Sequence, residues 1–129
     1  MIRLIQIPAV LGPAVLSLAL FGAAAAQAGE VDVVGARAIK EGGNLWRFDV
    51  TLKHADEGWD HYADKWDVLT PDGKLLGTRV LYHPHVEEQP FTRSLGGVEV
   101  PEGVTTVVIR GHDKVHGTGG KEMTVELPR

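Results

Sequence analysis

Leu45-Trp46-Arg47-Phe48-Asp49-Val50-Thr51-Leu52-Lys53 is the stretch on which the fold turns. Trp46, Phe48, Val50 and Leu52 alternate with Arg47, Asp49, Thr51 and Lys53, so apolar and polar side chains occupy every second position. Successive side chains of a strand point to opposite faces, and this period of two marks a strand with one face buried. His54 continues the apolar face at its far end. The turn before it is Glu41-Gly42-Gly43-Asn44.

The same period extends in both directions. Upstream, Val31 and Val33 share a face, and the register shifts near Gly35, which predicts a bulge. Downstream, Trp59, Tyr62 and Trp66 are spaced by three and then four, one face of a short helix, but Tyr62, Asp64, Trp66 and Val68 also fit one face of a strand. The reading favoured is a loop followed by a strand. Thr70-Pro71-Asp72-Gly73 has the residues of a tight turn. Residues 75–83 then return as a strand with Leu76, Thr78, Val80 and Tyr82 on one side, ended by Pro84, which cannot donate to a ladder.

Residues 91–95 read as a short strand, with Gly96-Gly97 and Pro101-Glu102-Gly103 bracketing a turn region. Residues 105–112 are β-branched and apolar enough for a central strand. After the glycine-rich loop 116–120, Met123, Val125 and Leu127 alternate with Glu122, Thr124 and Glu126. About seven strands, with turn signals roughly every ten residues and no long helix, predict an all-β fold, an antiparallel β-sandwich. Val100-Pro101-x-Gly103 before a β-rich run, then a loop and a last alternating strand, resembles the end of an immunoglobulin-like or fibronectin-type-III-like domain. That resemblance implies an immunoglobulin-like sandwich and no particular activity. The paired cysteines of antibody domains are absent.

Residues 1–28 differ from the rest. Arg3 is their single charged side chain, residues 7–26 are mostly apolar, and Ala26-Gln27-Ala28 precedes Gly29-Glu30. A basic start, an apolar run and a small-x-small site predict a signal peptide over 1–28 and one domain over 29–129. About 20 apolar residues can also span a bilayer as an anchor, but Gly12, Pro13, Ser17 and the alanine-rich end favour cleavage. The expected product is periplasmic or secreted, free of the membrane after cleavage, with a protein of the cell envelope as a possible partner. The chain has no cysteine. A lipid anchor of the bacterial lipoprotein kind would need one, and no disulfide supports the core. A net charge of −4, with no basic run, argues against nucleic acid as a partner.

Six histidines carry the chemical signal: His54, His61, His83, His85, His112 and His116. Counting strand directions from residues 45–53, all six fall in loops or strand ends at one pole. Imidazole is the commonest metal-binding side chain, so the pole is expected to take a divalent transition metal: zinc, copper(II) or nickel. His83-x-His85 leads, because an extended i, i+2 pair points to one side and Pro84 stiffens it. His112-x-x-x-His116 has helical spacing across a strand-to-loop junction. His54 reads chiefly as a hydrogen-bonded residue at the core edge. Asp56, Glu57, Asp60, Asp64, Glu87, Glu88 and Asp113 are close enough in sequence to serve as ligands or as acceptors for the second ring nitrogen. Trp59 and Tyr62 are expected to pack at the pole, and Arg93 to pair with Glu87 or Glu88.

Other chemistries fare worse. Ser94 is the only serine after residue 28 and lies in no nucleophile motif. Gly117-Thr118-Gly119-Gly120-Lys121 lacks the spacing of a phosphate loop. The leading expectation is therefore non-catalytic metal binding. The alternatives are an immunoglobulin-like module that recognises a protein or glycan through Trp59, Tyr62, His83, His85 and Phe91, and a small metal-dependent enzyme.

Overall fold

The computed structural model describes residues 29–129, and the signal-peptide assignment lies outside the described residues. β1 (Asp32–Gly42), β2 (Leu45–Lys53) and β5 (Phe91–Glu99) form one sheet in the order β1-β2-β5. β3 (Ala63–Leu69), β4 (Leu75–Val80), β6 (Thr106–Asp113) and β7 (Met123–Glu126) form the other in the order β4-β3-β6-β7. Every pairing is antiparallel. The described residues thus form the expected seven-strand antiparallel sandwich.

The alternation in β2 decides how the layers face. Trp46, Phe48, Val50 and Leu52 are fully buried and meet Trp66, Val68, Val107 and Ile109 of the opposite sheet in one core. Each such side chain contributes about 1.5–3 kcal/mol by leaving water. The expected bulge occurs in β1, where the register with β2 shifts between Val33 and Gly35. The ambiguous segment after β2 is a loop to Tyr62 followed by β3, with Trp66 wholly buried.

Two elements differ from the sequence reading. β4 ends at Val80; Leu81 turns inward and is buried, while Tyr82 is exposed rather than on the strand's inner face. The Leu81 N–H donates to the Asp64 carbonyl of β3 at 2.9 Å, continuing the β3–β4 register one residue past the strand end. Gly96-Gly97 is a bulge inside β5 rather than a turn: Trp46 pairs with Val98 but Phe48 pairs with Leu95. Gly97 takes φ +65°, open to glycine, and donates its N–H to Glu41 at 2.8 Å.

The N-terminal residues of the domain are bound into this frame. Val31 and Val33 are buried, and the Val33 N–H donates to the Lys121 carbonyl at 2.8 Å. The Lys121 N–H in turn donates to Asp32 Oδ1 at 2.8 Å. Gly111 has no room for a Cβ against Val31, and Gly120 none against the Val31 carbonyl. Residue 29 is thereby carried to the end of the sandwich where β2 finishes and β6 runs out.

Candidate metal centre

The centre is built from strand ends. His54 follows β2 on its inward face, Asp113 closes β6, His61 comes from the loop before β3, and His116 from the loop after β6. The His54 and Asp113 side chains are completely buried. Asp113 divides its two oxygens between two tasks. Oδ1 accepts backbone N–H groups from His116 and from Val115, the latter at 2.8 Å. Oδ2 faces His54 Nε2 at 3.1 Å, His116 Nδ1 at 3.2 Å and His61 Nε2 at 3.4 Å. Burial alone would raise the Asp113 pKa, but the His116 and Val115 N–H groups, the His116 ring and the nearby His54 outweigh it and hold the carboxyl below its ordinary range.

His54 and His61 are arranged alike. His54 Nδ1 lies 2.5 Å from Asp56 Oδ1, and His61 Nδ1 lies 2.7 Å from Glu57 Oε1. A carboxylate has no proton to donate, so each Nδ1 carries one, and in the neutral ring Nε2 is left with a lone pair. Both Nε2 atoms then face acceptors. Besides Asp113 Oδ2, the Gly29 carbonyl oxygen stands 3.1 Å from His54 Nε2 and 3.2 Å from His61 Nε2. The ligand atoms of His54, His61 and Asp113 all lie within 4.8 Å of one another. Nitrogen and oxygen ligands about 2.0–2.2 Å from a tetrahedral metal stand about 3.3–3.6 Å apart. The observed 3.1 and 3.4 Å separations are close to such edges. Carboxylates on the far ring nitrogens are what fix the tautomer of a metal-binding histidine.

Positive charge is what this arrangement favours. The Glu57 carboxylate raises the His61 pKa above the ordinary imidazole value, burial opposes it, and the Gly29 carbonyl and Asp113 add to the rise. The site can therefore hold a proton in acid and a metal ion where imidazole is neutral.

His83 and His85 make a different pair. Their rings lie 4.7 Å apart, and His85 stacks on Phe91 at 4.0 Å and 10°. His85 is buried with neither ring nitrogen hydrogen-bonded; its Nδ1 is 4.0 Å from Asp56 Oδ2, beyond hydrogen-bond reach. Burial, then Arg93 and His83, push its pKa below the ordinary value. The exposed His83 ring faces the Pro84 carbonyl at 3.1 Å. The two groups are linked, because the Asp56 carboxylate that holds His54 also accepts the His85 backbone N–H at 2.6 Å. Gln89 adds a second tie, accepting from the His54 N–H and donating to the His85 carbonyl, both at 2.9 Å.

The remaining candidates are dispersed. His112 bonds Asp64 at 2.6 Å, half-buried on β6. Arg93 pairs with Glu88 at 3.0 Å and lies over Phe91. Glu87 and Asp60 are exposed. Trp59 does not pack into the pole: it is 64% exposed, edge-on to the largely buried Tyr62 at 5.8 Å. Gly29 is the contributor that the sequence reading missed, since a backbone carbonyl leaves no trace in residue type. Its signal was conformational, a glycine where φ is +94°.

A protein of Halomicrobium mukohataei named "Putative lipoprotein" is 50% identical to this chain over 97 residues, 75% of this chain and 47% of that protein. The chain spans about half the length of that relative. No family model matches the chain, and no solved structure does.

Proposed function

We propose that the protein is a cell-envelope β-sandwich module that holds a divalent transition metal at His54, His61 and Asp113, for storage, sensing or delivery rather than catalysis. One observation carries the reading: two imidazoles with their Nδ1 protons committed to Asp56 and Glu57 turn their Nε2 atoms onto a carboxylate oxygen and a carbonyl oxygen. Those lone pairs repel unless a cation lies among them. Nitrogen and oxygen donors without sulfur suit zinc, copper(II) or nickel. The complete burial of His54 and Asp113 supports retention of a metal rather than an open coordination position for substrate.

The name of the Halomicrobium relative, together with the leader-like residues 1–28, supports an envelope location. This chain has no cysteine to carry a lipid. The strand orders β1-β2-β5 and β4-β3-β6-β7 favour the immunoglobulin-like or fibronectin-type-III-like class. A second reading, recognition of an envelope protein, is favoured by Trp59, Tyr82, Val86 and Val115, which are exposed on the loops that surround the centre.

Elemental analysis of untagged protein from the exported fraction tests the first reading. We expect about one zinc, copper or nickel per chain and a melting temperature that rises on adding zinc. Protein that neither carries a metal nor responds to one would sink this reading and leave the recognition surface.

A further inference from the structure

We propose that cleavage after Ala28 makes Gly29 a ligand, its new α-amino nitrogen joining its own carbonyl oxygen in a five-membered chelate at the His54–His61–Asp113 centre. This rests on the metal reading above. The step is hydrolysis by an endopeptidase of the export pathway: water adds across the Ala28–Gly29 bond, Ala28 leaves with a carboxylate, and Gly29 retains an amine. An internal amide nitrogen is a poor ligand. A free amine, with a pKa of about 7.7–8.0, yields its proton to a metal readily.

Four features place Gly29 for this role. Its carbonyl oxygen already stands 3.1 and 3.2 Å from the two Nε2 atoms. The fold fixes it there, through buried Val31 and Val33 and the hydrogen bonds that join residues 32 and 33 to Lys121. Glycine lets the chain lie against the ring: a Cβ would fall 2.6 Å from His116 Cε1 and displace that imidazole. A small-x-small site, Ala26-Gln27-Ala28, ends one residue before it. A strand that merely needed to start near the centre would not require a bare glycine pressed against the His116 ring, nor a processing motif at that bond.

The test compares protein that begins at Gly29 with protein that retains Gln27-Ala28 in front of it. Both are loaded with copper(II), and affinity is read by chelator competition. We expect the Gly29 form to bind more than about tenfold tighter, since loss of a ligand should cost at least as much as loss of an outer-shell partner. With ¹⁵N-glycine labelling, the copper electron paramagnetic resonance of that form alone should carry coupling to a glycine nitrogen. Mass spectrometry of exported protein should find Gly29 first. Equal affinities with identical spectra, or a natural first residue other than Gly29, would overturn the chelate and leave the histidine centre standing. Failure of both forms to bind copper(II) would remove the centre and the chelate together.

Discussion

His54 and His85 are both buried and both in contact with Asp56, yet their ring nitrogens meet opposite surroundings. His54 has carboxylates on both sides, at 2.5 and 3.1 Å, while both nitrogens of His85 lack partners and its ring lies flat on Phe91. Every ring nitrogen of one faces an acceptor, while burial of the other disfavours its charged form. A count of histidines near one pole therefore says little about metal affinity; what each Nε2 and Nδ1 faces decides it.

The largest effect should follow from His54→Ala. It strips Asp56 and Asp113 of their shared buried hydrogen-bond partner, and leaving buried polar groups unsatisfied costs about 1–3 kcal/mol or more. Denaturant unfolding should register that loss, and elemental analysis should find the metal gone. Asp56→Asn is gentler. It keeps the shape but weakens the hold on the His54 Nδ1 proton, so zinc affinity should fall about 10–100-fold, read by chelator competition. Unchanged affinity would mean that Asp56 only ties loops together.

His85→Phe should leave bound metal intact, which separates the two groups directly. Its signature is in acid. Because burial lowers the His85 pKa, the unfolded chain takes up this proton before the folded one as pH falls. The stability due to its neutral state is full above about pH 6.5 and declines as pH drops through the lower folded value. The difference in stability between variant and parent should thus move in the variant's favour between pH 7.5 and 5, measured as urea midpoints. Loss of metal from this variant would shift the centre toward His83 and His85. The smallest effect is expected from Trp59→Ser, within about 0.5 kcal/mol, because the indole is exposed. A change in binding to envelope extracts without a change in metal content would support the recognition surface.

Alternation of apolar and polar residues announced most of the sandwich. Period two marks a half-buried strand, so Trp46 to Leu52 and Val125 and Leu127 could be assigned from residue type alone, whereas Trp66 also fitted a helical spacing. The exception in β5 arose where a backbone group found a partner outside its ladder: Gly97 bulges and its N–H donates to Glu41. Hydrogen bonds of that kind depend on chains distant in sequence, and local pattern carries no record of them.

The centre divides in the same way. That histidines and acids would share one pole follows from strand direction, a topological property that survives small errors in strand ends. Which of them meet does not. His83-x-His85 was the strongest local pair, but its rings are tilted against each other and the His85 ring stacks on Phe91. His54, which local pattern assigned to the core edge, lies beside Asp113, 59 residues away in sequence. Residue types fixed the layers and the nitrogen and oxygen character of any site. Packing selected His54, His61 and Asp113 and brought the Gly29 carbonyl to them, because ligand geometry depends on ångström distances between strand ends that are remote along the chain.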